Sequence, residues 1–170
     1  GLDTGQATGG TITLTHDAAV ESAGGENRAL ELRAGTGAVS VNANLGETDA
    51  LASLTVADTT GRVTLGGADV ANEAGSEDLG PVTLVRSVGS IDVGAGIEDD
   101  DVVTGGIELN AGGANAGGDT TLELRTTGGG DVRLNGPVTL ESGVLITTNG
   151  DGGLDTGQAT GGTITLTHDA

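Results

Sequence analysis

The sequence predicts an all-β chain wound as a parallel β-solenoid, and three observations predict it. Apolar residues alternate with polar ones over short runs, and no stretch carries a helical period. The hydrophobic fraction of 35% comes from Ala, Val, Leu and Ile alone, with no Phe, Tyr, Trp, Met or Cys. Short motifs also return along the chain. A narrow interior of stacked aliphatics suits this palette, whereas aromatic rings dominate burial in most globular cores.

The alternating runs are Ile12/Leu14, Leu30/Leu32, Val39/Val41, Leu54/Val56, Val63/Leu65, Val82/Leu84, Ile91/Val93, Ile107/Leu109, Leu122/Leu124, Val132/Leu134 and Val138/Leu140. Thr, Glu, Asp, Ser or Arg stands between the members of each pair, which describes strands with one face buried and one wet. The residues expected to point inward and stack are Ile12, Leu14, Leu30, Leu32, Leu54, Val56, Val82, Leu84, Ile107, Leu109, Leu122 and Leu124. Glycine accounts for 34 of 170 residues; without a Gly-X-Y period this excludes collagen and supplies corners instead. Pro81 and Pro137 stand where strands begin, the position at which a missing N–H costs least.

Repeats set the organisation. Residues 1–18 and 153–170 are identical, letter for letter. The expectation is a tandem unit at 1–152 followed by the start of an identical unit at 153–170. A designed duplication, or a subunit carrying one strand at both ends for head-to-tail assembly, would give the same identity. Within the unit, Gly80–Leu84 recurs as Gly136–Leu140 and Leu30–Arg33 as Leu122–Arg125. Strong runs at Ile12, Leu30, Leu54, Val82, Ile107, Leu122, Leu145 and Ile164 predict about seven coils per unit, at about 22 residues each. Ile164 should then repeat Ile12 after a translation of about 34 Å, with strands about 4.8 Å apart. An array of β-sandwiches is the rival, but such domains usually keep a buried aromatic.

The charge narrows the function. The formal net charge is −19, with six arginines, no lysine and 25 acids. Nucleic acid is therefore no partner, since phosphate binding needs a basic surface. No apolar run is long enough for a membrane span. The first 152 residues carry a charge of about −17, roughly one per 2 Å of such a rod, near the line density of duplex DNA. Such a rod condenses cations, and divalent ions would cross-link neighbouring rods.

The candidate metal site is Glu98, Asp99, Asp100 and Asp101, four successive acids that would offer oxygens to Ca²⁺; the plain reading is a solvated loop. No cofactor is otherwise required. Thr11, Thr13 and Thr15 face one way on a strand, but the other runs place Glu31, Glu108 and Glu123 between their apolar pairs, so no regular threonine ladder is expected. His16 and its copy His168 are the only histidines, too few for a metal site or a triad, and fit a turn after the strand. No catalytic residue is assigned and no enzyme is expected, because the arginines are scattered and the aromatics that stack on sugars are missing.

The stretch Leu30–Leu65 resembles the repeat region of filamentous-haemagglutinin-like giant bacterial exoproteins and adhesins. The matching pieces are Ala34-Gly35-Thr36-Gly37, Leu51-Ala52-Ser53-Leu54-Thr55-Val56 and Val63-Thr64-Leu65-Gly66-Gly67, with Gly80–Leu84 and the run 129–140 also fitting. The resemblance implies a right-handed β-helix that is secreted to the cell surface. It transfers no binding residue. The expected function is a structural repeat of a giant secreted protein: an extracellular acidic filament, stalk or sheath. Its partners would be neighbouring repeats or filaments of itself, head-to-tail and side by side, together with divalent cations. The alternative is the stalk or binding region of a cell-surface adhesin that recognises a host or matrix ligand.

Overall fold

The computed structural model describes residues 2–3, 9–14, 19–66, 84–95, 102–111, 121–148 and 161–167. Among them there is no helix, and every strand pairing is parallel. The chain visits three sheets, A, B and C, in turn. The first pass places β1 (Leu2–Asp3) in A and β2 (Ile12–Leu14) in B. The second has β3 (Leu30–Gly35) in A and β4 (Val39–Val41) in B; the third has β5 (Leu54–Thr59), β6 (Val63–Leu65) and β7 (Leu84–Ser87) in A, B and C. The fourth has β8 (Ile91–Ala95), β9 (Ile107–Leu109) and β10 (Thr121–Thr126), and the fifth β11 (Val132–Asn135), β12 (Val138–Leu140) and β13 (Gly143–Thr147). Strand β14 (Ile164–Thr167) then returns to sheet A. In the first two passes sheet C is represented by single bridges, Val20 to Leu45 and Leu45 to Val85.

Because each strand pairs with its counterpart one pass away, like residues stack into columns. Sheet A stacks Leu30, Leu54, Ile91, Val132 and Ile164 in one column and Leu32, Val56, Val93, Leu134 and Leu166 in the next. Sheet B stacks Ile12, Val39, Val63, Ile107 and Val138 beside Leu14, Val41, Leu65, Leu109 and Leu140. Sheet C adds Val85, Leu124 and Ile146 beside Leu122 and Val144. These columns meet in one aliphatic core. A small side chain at every inward position lets three sheets converge with no ring to accommodate, which is why an all-aliphatic palette suffices.

Two kinds of corner close the passes. At the A-to-B corner, glycines lie backbone against backbone: a Cβ on Gly37 would sit 2.4 Å from the Gly10 oxygen and one on Gly61 2.1 Å from the Gly37 oxygen. No side chain fits there. Buried hydroxyls satisfy turning backbone at this corner and at the one that leads from C to A. Thr59 Oγ1 accepts from the Ala34 amide at 3.2 Å and donates to the Ala57 carbonyl at 2.9 Å, while Ser87 Oγ donates to Gly89 at 2.8 Å and Thr126 Oγ1 to Gly130 at 2.6 Å.

The all-β parallel expectation holds, and several finer expectations change. Five circuits separate β1 from β14, at about 33 residues each, in place of coils of about 22 residues. The strong apolar runs used as markers fall on different sheets, since an alternating run looks alike on any of the three. Ile12 and Ile164 are not related by a simple translation of the columns: Ile12 stacks on Val39 in sheet B and Ile164 on Val132 in sheet A. Of the residues expected inward, Ile12, Leu32, Leu54, Val56, Ile107, Leu109, Leu122 and Leu124 are buried, and Leu14 and Leu30 are half-buried against the same core. Val82 lies outside the described residues. Leu84 is a correction. Val85 is fully buried in register with Leu124, so the pleat turns Leu84 to the outer face beside Glu123.

Candidate assembly interface

Each sheet ends on a strand with one neighbour among the described residues: β12 on β9, β13 on β10 and β14 on β11. Their free edges carry exposed aliphatics. Leu140 and Leu166 are each 60% exposed, although Leu109 and Leu134, one place down the same columns, are buried. Among the described residues no strand lies above them, while the columns themselves face the core. Ile164 is 46% exposed, and Val138, Val144 and Ile146 are half-buried beside it. Leu145 differs: its strand neighbours Val144 and Ile146 face the core, so Leu145 lies on the outer face beside Glu123. Local sequence sets this edge. Pro137 stands just before β12, and its carbonyl accepts from the Ile107 amide at 2.7 Å.

The opposite end begins the same columns. Ile12, Leu14, Val20 and Leu30 stand at or near their first places, β1 pairs with β3, and among the described residues β2 pairs only with β4. Among the described residues, β12, β13 and β14 therefore offer backbone N–H and C=O groups without a strand partner beside exposed aliphatic side chains. Such an edge is a template for further parallel strands. Covering Leu140, Ile164 and Leu166 would contribute about 1 kcal/mol each from the apolar area still open.

The flanks are polar. Sheet B's outer column reads Thr13, Ser40, Thr64, Glu108 and Thr139, and sheet A's reads Glu31, Thr55, Asp92, Arg133 and Thr165. Five of the six arginines meet carboxylates: Arg28 meets Glu26, Arg33 both Glu31 and Asp58, Arg62 Glu108, Arg125 Glu123 and Arg133 Asp92. Arg86 donates to the Thr48 carbonyl at 2.8 Å. Exposed pairs of this kind add little stability; here they remove local repulsion on an acidic surface. Burial pushes the Asp92 carboxyl above the ordinary carboxylate range, with Arg133, 3.9 Å away, partly offsetting it. A recess of about 240 Å³ on sheet B's outer side is lined by Arg62, Glu108, Pro137, Thr139 and Glu141, among others, and its arginine is held by Glu108 at 2.8 Å.

Comparison with protein-family models, curated proteins and solved structures finds no match.

The proposed calcium ligands Glu98, Asp99, Asp100 and Asp101 lie outside the described residues, as do His16 and His168. Among the described residues no three His, Cys, Asp or Glu side chains are grouped to hold a metal ion. No helix among them is long and apolar enough to cross a membrane. The Leu30–Arg33 motif and its recurrence at Leu122–Arg125 do share a structural part: in each, Glu and Arg two residues apart pair on the outer face, once in sheet A and once in sheet C. Reading the apolar pairs alone missed the buried polar residues Thr59, Ser87, Thr126 and Asn135. The parity of the pleat was the available signal, because Thr126 continues Leu122 and Leu124, and Ser87 continues Val85, on the inward face.

Proposed function

We propose that the chain is a structural repeat of a giant secreted bacterial protein, one segment of an extracellular acidic β-solenoid filament, stalk or sheath, and that it works by stacking end to end on further copies of the unit. The observation that carries this reading is the edge formed by β12, β13 and β14: aliphatic columns of all three sheets reach strands with one neighbour among the described residues, and Leu140 and Leu166 there are each 60% exposed. Each added pass would extend three hydrogen-bonded ladders and two or more aliphatic columns at once. Stability then grows with the number of neighbouring passes, as in other repeat architectures. The motifs resembling haemagglutinin-like exoproteins support the placement at the cell surface. The acidic exterior, at a formal charge of −19, would keep rods soluble and apart except where divalent cations bridge them.

The test is sedimentation and electron microscopy of the purified chain across a concentration series. The expected result is elongated particles that lengthen with concentration. A variant carrying Leu140→Glu and Leu166→Glu should remain short while its circular dichroism stays that of the wild type, because both positions already face solvent at the edge. A wild-type chain that stays a short monomer at every concentration, indistinguishable from the variant, would refute the reading.

A further inference from the structure

The two copies of the duplicated segment occupy different faces of the same molecule. In the first, Ile12 and Leu14 stack on Val39 and Val41 in sheet B; in the second, Ile164 and Leu166 stack on Val132 and Leu134 in sheet A. The corner glycines move with the strand. A Cβ on Gly37 would meet the Gly10 oxygen, in the A-to-B corner column of Gly10, Gly37 and Gly61. Gly162, the copy of Gly10, instead stacks on Gly130, which stacks on Gly89, in the corner that leads from C to A. Strand and corner thus report the same shift independently.

From this we infer that successive units in an array are turned by one sheet, so that sheet A of one unit continues as sheet B of the next. The inference rests on the end-to-end reading proposed above and specifies the joint. Between β2 and β14 the chain completes four passes and two-thirds of another, so a unit advances by about 22 Å and turns by about a third of a circle; three units, about 67 Å, restore the original face. Every open edge is then covered in order. The second unit's β4 follows β14, placing Val39 and Val41 over Ile164 and Leu166, which repeats the contact that Ile12 and Leu14 make within the first unit. Its β3, of six residues, follows β13, of five, with Leu30 and Leu32 over Val144 and Ile146; there β13 takes the edge of β3 that the two-residue β1 holds in the first unit. Its Val20 follows β12. Without the turn, the five-residue edge of β13 would meet only the single bridge at Val20.

The physical cause is that a Gly corner followed by two aliphatics at alternate positions satisfies both columns equally. What selects the sheet is the number of passes that the intervening residues complete. The consequence for function is distribution: any feature on sheet B, including the hydroxyl column of Thr13, Ser40 and Thr64, would appear on all three sides of the rod in succession and not along one stripe.

Two measurements on a chain of consecutive 152-residue units test this. The wild type has no cysteine, so engineered pairs report cleanly. Arg133 and Thr165 are strand neighbours in register, within reach of a disulfide once both are cysteine. The pair R133C and T165C should lose its free thiols on mild oxidation, whereas T139C and T165C, neighbours only in an unturned array, should keep them. Helical reconstruction of the rods should show sheet A continuing into sheet B at each joint, with a rise near 22 Å. Rods in which T139C and T165C cross-link, or in which each sheet continues as itself with a rise near 24 Å, would overturn the turn while leaving end-to-end stacking intact. Absence of rods altogether would instead remove the reading on which the inference rests.

Discussion

Replacing Leu65 with Asn, and separately its neighbour Thr64 with Asn, puts the same side chain on opposite faces of β6. Leu65 is fully buried, stacked between Val41 and Leu109. Thr64 is half-buried on the outer column between Ser40 and Glu108. At position 65 the variant loses the transfer energy and packing of a buried leucine, worth about 2–5 kcal/mol in comparable truncations. It also buries an amide in an aliphatic core, which adds about 1–3 kcal/mol where its hydrogen bonds go unmade. Partial relaxation of so small a side chain toward solvent removes some of this, so about 4 kcal/mol is the expected net loss, a large fraction of the stability of any domain. At position 64 the same amide stays hydrated, and the loss should remain within about 0.5 kcal/mol. Thermal melts followed by far-ultraviolet circular dichroism separate the two. For a chain of this size the Leu65→Asn transition should fall by about 8–16 °C and the Thr64→Asn transition by no more than about 2 °C. Equal midpoints would mean that the pleat does not place 65 in and 64 out. The column assignments on sheet B would then be wrong.

Further outcomes follow from the corners, the outer face and the charge. Gly61→Ala should destabilise markedly, because its Cβ would lie 2.1 Å from the Gly37 oxygen, while Gly24→Ala, whose Cβ meets only Asp49 Oδ2 at 3.8 Å, should melt like the wild type. Matching melts for the two would refute the tight glycine column. Asp92 has a carboxyl pKa raised by burial and a buried Oδ1 without a hydrogen bond. An acid raised in the folded state costs nothing below its unfolded pKa and costs stability as pH rises through the folded value. Asp92→Asn should therefore melt above the wild type at pH 7, with the gap closing as pH falls to about 3; a gap that widens on acidification would show that the Arg133 pairing outweighs burial. If copies assemble as proposed, millimolar CaCl₂ should raise light scattering and EDTA reverse it; equal scattering in NaCl at matched ionic strength would leave only screening. If bundling survives neutralising Asp99, Asp100 and Asp101 to Asn, it belongs to the acidic surface as a whole.

Alternation was enough to identify strands and most inward residues, because a period of two is a property of the pleat and needs no partner. Val39 and Val41, Val63 and Leu65, Ile91 and Val93, and Val132 and Leu134 all stand as alternating pairs in the sequence and are buried in the fold. The aliphatic palette likewise pointed to a core built without rings. Parity failed once, at Val82-Thr83-Leu84-Val85, where two adjacent aliphatics offer either face; packing against Leu124 chose Val85. The assignment of each run to a sheet lay beyond any local pattern, since an inward pair preceded by glycine fits all three. The identical runs Ile12–Leu14 and Ile164–Leu166 make the point directly: one sequence stacks on Val39 and Val41 in one place and on Val132 and Leu134 in another. Only the accumulated path of the chain, pass upon pass, decides which column a strand extends and which leucines are left uncovered at the end.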